Sequence, residues 1–145
     1  MREISHHDLV VIGGGPAGMA TAATAAAFGL RVAIIDERVT LGGQIFKRLG
    51  EGFDIDSPDV MGKDYARGAA LISEIDHPNI TQFVATTVVT IDEGRIITSH
   101  PQEGVRSFTC DSLVIAPGAY DRPVAFPGWT LPGAVSYTHL RAHET

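Results

Sequence analysis

Leu9-Val10-Val11-Ile12-Gly13-Gly14-Gly15-Pro16-Ala17-Gly18, then an alanine-rich run from Met19 to Phe28, then Val32-Ala33-Ile34-Ile35-Asp36, decides how this chain folds. Leu9–Ile12 is a short, wholly apolar, β-branched run, the pattern of a strand buried on both faces. Met19 to Phe28 consists mainly of strong helix formers, and Gly29 stands where a helix stop belongs. Met19, Ala22, Ala23 and Ala26 recur at helical spacing and form a slim face that can lie close to a sheet. Val32–Ile35 repeats the buried-strand pattern. Two strands joined by a helix of this length must run parallel with a right-handed crossover, so the first 36 residues predict a βαβ unit.

The turn inside that unit carries the chemistry. Gly13-x-Gly15-x-x-Gly18 follows a strand and opens a helix, and Asp36 ends the next strand about 20 residues on. The three glycines do different things: Gly13 permits the sharp turn, Gly15 lets a pyrophosphate approach the backbone, and Gly18 lets helix and strand pack closely. The helix start offers free N–H donors and the positive end of its dipole to the phosphates. Pro16 costs little there, because first-turn N–H groups have no intrahelical partner. Asp36 is placed to accept hydrogen bonds from an adenosine ribose and to repel a 2′-phosphate, which disfavours NADP despite nearby Arg38. FAD and NAD both fit the turn. A tight βα turn without a ligand is the bland alternative, and the agreement on both flanks weighs against it.

Beyond the unit, Leu41-Gly42-Gly43-Gln44 leads into an acidic stretch, and Ser57-Pro58-Asp59 predicts a helix start, with proline at the first helical position. That helix runs to Ile75 and turns Met61, Tyr65, Ala69 and Ile72 inward. Ile80–Val84, Thr87–Ile91, Arg95–Thr98 and Ser107–Thr109 read as strands of a β-meander packed beside the main sheet, with turns at Asp92-Glu93-Gly94 and Gln102-Glu103-Gly104. Leu113–Ala116 is a further buried strand closed by Pro117-Gly118.

Composition sets the outer limits. The 145 residues, 44% apolar and 19% charged, suit a globular chain, and the net charge of −6 argues against a nucleic-acid-binding surface. The lone Cys110 excludes a disulfide framework or CxxC pair within these residues and suits a reducing, cytoplasmic setting; its neighbours favour packing as a small apolar residue. The uncharged stretch from Leu9 to Leu30 reaches membrane-span length, yet its glycines, proline and alanines contradict a span. The flank Met1–Asp8, carrying two acids, contradicts a signal peptide. His6-His7 reads as a solvated arm. His139 and His143 have metal-ligand spacing without the intervening acid or a third ligand, so no metal is expected.

Val10–Gly18, Asp36-Glu37 with Gly42-Gly43-Gln44, and Leu113–Pro123 followed by Phe126–Gly133 together resemble the two-dinucleotide-domain flavoprotein oxidoreductases of the pyridine-nucleotide-disulfide-oxidoreductase type. Within them they are most similar to the group formed by the FAD-dependent subunits of opine oxidase, hydrogen cyanide synthase and sarcosine oxidase (its α-subunit). The resemblance implies an α/β fold, a Rossmann-like FAD-binding domain of parallel sheet plus β-meander, incomplete within residues 1–134. It implies FAD held by Gly13, Gly15 and Gly18 at the pyrophosphate and by Asp36 at the ribose, with Pro16, Ala17 and Glu37 also among the cofactor-binding residues. Gly42, Gly43 and Gln44 would pass near the flavin side, and Ala116 and Gly118 stand where the chain crosses toward a second domain, itself a candidate for NAD(P). Pro117 departs from the more common Ala-Thr-Gly and removes a backbone donor. The implied activity is oxidation of a C–N bond in an amine, opine or amino-acid derivative by hydride transfer to flavin, with other oxidoreductase subunits as partners and no activity in this chain by itself. No catalytic acid or base is identifiable.

An NAD-dependent dehydrogenase of simple Rossmann type and a non-catalytic nucleotide-binding protein are the competing readings. The meander and the Ala116-Pro117-Gly118 ending count against the first. Residues 135–145 resemble translated adapter sequence, and are expected not to be native.

Overall fold

The computed structural model describes residues 4–46, 63–120 and 124–131, with side chains undescribed at 63–66. Its elements are β1 (Ile4–Ile12), α1 (Pro16–Ala27), β2 (Val32–Ile35), α2 (Lys63–Glu74), β3 (Ile80–Phe83), β4 (Thr87–Asp92), β5 (Arg95–His100) and β6 (Gly104–Ile115). The expected helix start at Ser57-Pro58-Asp59, Met61, the tail from 135, His139 and His143 lie outside the described residues, as does the Tyr65 side chain.

β1, α1 and β2 form the expected βαβ unit, with Leu9 to Ile12 paired in parallel with Val32 to Ile35. The helix begins at Pro16, three residues before the expected Met19, because proline needs no acceptor in the first turn. Leu9, Val11, Val32 and Ile34 of one sheet face pack against Met19, Ala22 and Ala26, with Ile75 just past α2 completing the layer. Leu71 and Ile72 of α2 support that layer from its edge, Ile72 as expected.

The strand order is β3-β2-β1-β6-β5-β4 in one sheet, and here the sequence reading needs three corrections. First, Ile80–Phe83 is not part of the meander: β3 pairs in parallel with β2, Val32 opposite Ile80. α2 is the crossover that a second parallel neighbour requires. Second, Ser107–Thr109 and Leu113–Ile115 belong to one strand. β6 starts antiparallel to β5 and continues parallel to β1, from Ile4 opposite Ser107 to Ile12 opposite Ile115. Third, that long pairing draws Ile4–His7 into β1, so His6-His7 is no solvated arm. Backbone pairing, not an apolar pattern, holds this segment.

The antiparallel end lies over the parallel end rather than beside it. Two strands separate β3 from β6, a span of about 14 Å in a flat sheet. Yet the rings of Phe83 and Phe108 meet edge to face at 4.7 Å. The sheet therefore curls, and Ile96 and Phe108 bury themselves against Val10, Ala33 and Ile35. Cys110 is half-buried at the margin of this second core, and burial pushes its thiol pKa up, in keeping with a packing role.

His7 sits between the two ends of the curl, edge-on to Phe83 at 6.1 Å and tilted against Phe108 at 6.2 Å. Its Nδ1 is buried and finds no hydrogen-bond partner among the described residues. Burial is the main force lowering its pKa below the usual 6.5; the charges of Arg31 and His6 add to it, and Asp8 opposes it. Arg106, stacked on the same Phe83 ring, adds a further cation on the β6 side. Above 6.5 both folded and unfolded chains carry a neutral imidazole; below it the unfolded chain takes up the proton first, so stability falls as pH drops. Urea unfolding across this window will show that decline, and His7→Leu will flatten it; an unchanged slope would assign the pH dependence elsewhere.

Candidate cofactor site

The chain leaves β1 toward β2 and β3 on one side and returns to β6 on the other. The order reverses between β1 and β6, and in open α/β sheets ligands bind at the carboxyl ends of the strands beside such a reversal. A cleft of about 520 Å³ lies there, opening over Gly13, Gly15 and Pro16, flanked by Asp36–Arg38 on one side and Ala116–Tyr120 on the other.

The turn is built by close backbone approach. Gly13 has φ of +105°, and a Cβ there would stand 2.1 Å from the Ala116 carbonyl oxygen, so this glycine lets the ends of β1 and β6 meet. A Cβ on Gly18 would stand 1.8 Å from the Gly13 carbonyl oxygen, so α1 lies directly on the turn. Gly15 is different. With φ of −75° it is conformationally ordinary, and a Cβ there would find nothing nearer than Gly43 Cα at 3.9 Å. Its bareness keeps space clear in front of the helix start, which no side chain among the described residues caps. Uncapped first-turn N–H groups facing a cleft fit a phosphate.

The second glycine pair seats the loop after β2 on this turn. Gly42 N–H donates to the Gly14 carbonyl at 2.8 Å, and a Cβ on Gly43 would press on Gly15 Cα at 2.9 Å. Gly43, Gln44 and Ile45 thereby form a rim of the cleft, while Gly42 itself is buried in the turn.

Asp36 ties the whole together. Its Oδ2 accepts from Gly14 N–H at 2.5 Å and its Oδ1 from Arg38 N–H at 2.7 Å. A carboxylate has about four acceptor positions, so two remain for a ribose diol. The Asp36 carbonyl accepts from Thr86 N–H at 2.9 Å and the Arg38 carbonyl from Ala85 N–H at 2.8 Å, which pins the link between β3 and β4 to the end of β2. Thr86, Thr87 and Val88 consequently line the far side of the cleft.

Of the residues singled out from sequence, Gly13, Gly15, Pro16, Asp36, Glu37, Gly43, Gln44, Ala116 and Gly118 all border this one cleft. Gly18 and Gly42 act beneath it through packing, and Ala17 is exposed on the first turn of α1 without lining it. Pro117, the departure from the common pattern, is itself on the lining. Gly14, Thr86–Val88 and Tyr120 were missed as site residues. The Thr86 segment would have been found by reading Ile80–Phe83 as a third parallel strand, whose carboxyl end must open on the same crevice. Among the described residues, potential metal ligands cluster at His6, Asp8 and Asp111, on the half of β1 away from the glycine turn, where Arg31 already engages the Asp8 carboxylate at 2.7 Å. No helix of the described residues is long and apolar enough to cross a membrane.

Fold and cleft define a dinucleotide-type α/β domain. Comparison with known proteins makes the assignment specific: the chain belongs to the pyridine nucleotide-disulphide oxidoreductase family, whose profile matches residues 7–144. It is 36% identical over 141 residues to the A-type subunit of opine oxidase from Agrobacterium tumefaciens (strain Ach5), covering 90% of this chain and 27% of that protein. The HcnB subunit of hydrogen cyanide synthase from Pseudomonas protegens is 34% identical over 129 residues, covering 86% and 27%. The alpha subunit of sarcosine oxidase from Corynebacterium sp. (strain P-1) is 33% identical over 147 residues, covering 90% and 15%. Among solved structures, L-proline dehydrogenase from P. horikoshii superposes with a TM-score of 0.67 at 27% identity, covering 92% of this chain and 27% of that one. The chain thus spans about a quarter or less of the length of these relatives. The resemblance read from the glycine turn, Gly42-Gly43-Gln44 and the segment after β6 is borne out, as is the Rossmann-like class.

Proposed function

We propose that residues 1–134 supply the adenosine and pyrophosphate side of an FAD site, in an oxidoreductase that oxidises a C–N bond of an amine, opine or other N-substituted amino acid. The observation that carries the reading is the open, uncapped start of α1 at Gly15 beside the half-occupied carboxylate of Asp36. Gly13, Gly15, Pro16, Ala17 and Gly18 form the phosphate cradle, Asp36 and Glu37 the ribose side, and Gly43 and Gln44 the rim nearer the flavin, with Gly42 seating that rim. Ala116 and Gly118 border the crossover side. Bound flavin supplies the hydride acceptor; the protein supplies position and electrostatics. The substrate class rests on the names of relatives: sarcosine and proline are both secondary amino acids, and opines are N-substituted ones. Several of these relatives are subunits, which supports partner subunits in the same compartment, here read as the cytoplasm. A nicotinamide nucleotide would belong to a second dinucleotide domain.

The complete gene product, purified without added cofactor, will carry an absorbance band near about 450 nm from flavin. A colourless protein that binds NAD would instead establish the dehydrogenase reading. For this chain alone, FAD will bind weakly and little better than ADP, since its cleft addresses the nucleotide end.

A further inference from the structure

Tyr120 has no packing reason to be fixed: its side chain is 58% exposed and stands two residues past Gly118, beyond the last strand. It is nevertheless held at both ends. Its hydroxyl donates to Glu37 Oε1 at 2.8 Å, and the Arg38 guanidinium lies over its ring, 5.8 Å from the centroid. The two partners follow Asp36 directly, Glu37 lying 83 residues from Tyr120 in sequence, and all of these residues border the same cleft. An exposed hydrogen bond between two surface side chains returns little stability after the cost of ordering them. The contact therefore matters for what it positions.

We propose that Tyr120 is a positioning and specificity residue, a clasp across the adenosine end of the cleft that fixes Glu37 beside Asp36 and holds the Arg38 guanidinium on its own ring. The inference rests on the dinucleotide reading above. An arginine near the end of the second strand is the group that accommodates a ribose 2′-phosphate in sites that accept one. Stacked on Tyr120, with the Glu37 carboxylate held alongside, Arg38 is drawn away from that role, and two acids confront the ribose. Discrimination against 2′-phosphorylated nucleotides then depends on a residue from the far side of the cleft as well as on Asp36.

Titration of the chain with 5′-ADP and with 2′,5′-ADP, followed by amide chemical shifts, tests this. The wild type will prefer 5′-ADP. Tyr120→Phe, which keeps the ring and loses the hydroxyl, will weaken 5′-ADP about threefold, the scale of one solvent-exposed polar contact. Tyr120→Ala, which releases Arg38 as well, will reduce the preference for 5′-ADP over 2′,5′-ADP by about tenfold, the scale of one gained charge-assisted contact. Adding Arg38→Ala to Tyr120→Ala will restore the preference, a reversal that a purely structural role for Tyr120 would not produce. Glu37→Ala, which removes both the acceptor of the hydroxyl and one of the two acids, will weaken 5′-ADP at least as much as Tyr120→Phe does. An unchanged preference in Tyr120→Ala overturns the clasp while leaving the nucleotide site standing. Absence of binding by the wild type overturns both.

Discussion

Gly15→Ala will leave the chain folded and weaken its nucleotide binding at least about tenfold, whereas Gly18→Ala will remove a large share of its stability. The two glycines are three residues apart in one motif, and the structure separates their roles by distance. A methyl on Gly18 would stand 1.8 Å from the Gly13 carbonyl oxygen, a backbone atom held by the pairing of β1 with β2 and β6. Gly18 stands in the first turn of α1, so its replacement by alanine returns at most about 1 kcal/mol of helix propensity. Separating α1 from the turn by more than an ångström costs more than about 3 kcal/mol, because Met19, Ala22 and Ala26 must leave their contacts with Val11 and Val32. The net loss is a large share of the stability of a domain this size. On Gly15 the same methyl meets nothing within 3.9 Å and the backbone angles already suit alanine, so stability will change by less than about 1 kcal/mol. Its methyl fills the approach to the first-turn amides, and ADP affinity will fall at least about tenfold. Urea unfolding and an ADP titration on both variants check the pair. A Gly15→Ala chain that binds like wild type would place the phosphates elsewhere.

Local signals and long-range pairing were legible to different degrees. Leu9–Ile12, the glycine turn and Val32–Asp36 could be read because each residue's environment is set by near neighbours: apolar runs for buried strands, proline and glycine for the turn, alanine for the helix. The site followed, since Gly13, Gly15 and Asp36 come from that unit. What escaped depends on partners far along the chain. Ile4–His7 carries no apolar alternation and becomes strand only because β6 runs beside it. Ile80–Phe83 has the same β-branched look whether it joins a meander or a parallel edge, and only its place after a crossover helix distinguishes them. Cys110-Asp111-Ser112 looks like a break between strands, yet backbone pairing carries β6 through it. Gly14 looks redundant between two motif glycines; its N–H is the donor that anchors Asp36, a role visible only once β2 lies beside the turn.

Asp36→Ala will cost both stability and nucleotide binding, and the two losses can be measured apart. The carboxylate accepts from Gly14 N–H and Arg38 N–H, joining the glycine turn to the loop after β2. Removing it leaves two part-buried donors seeking water, a loss of about 2–4 kcal/mol when each bond to a charged acceptor contributes about 1.5–3 kcal/mol and solvent compensates in part. Asp36→Asn retains one amide oxygen, sets its NH2 against the second donor, and will fall between alanine and wild type. If Asp36 served only as this internal tie, variants kept well below their unfolding temperature would bind ADP as before. On the proposed reading, in which its two remaining acceptor positions serve a ribose, affinity will fall about tenfold or more in Asp36→Ala even where the chain is fully folded, because the ribose hydroxyls lose a charged partner and gain none. Thermal unfolding with and without saturating ADP gives both quantities together. Binding to the folded state alone raises the unfolding temperature of wild type, and the rise shrinks as affinity is lost. An undiminished ligand-induced rise in Asp36→Ala would reduce this residue to a structural role, and would move the ribose to the side of the cleft lined by Thr86, Thr87 and Tyr120.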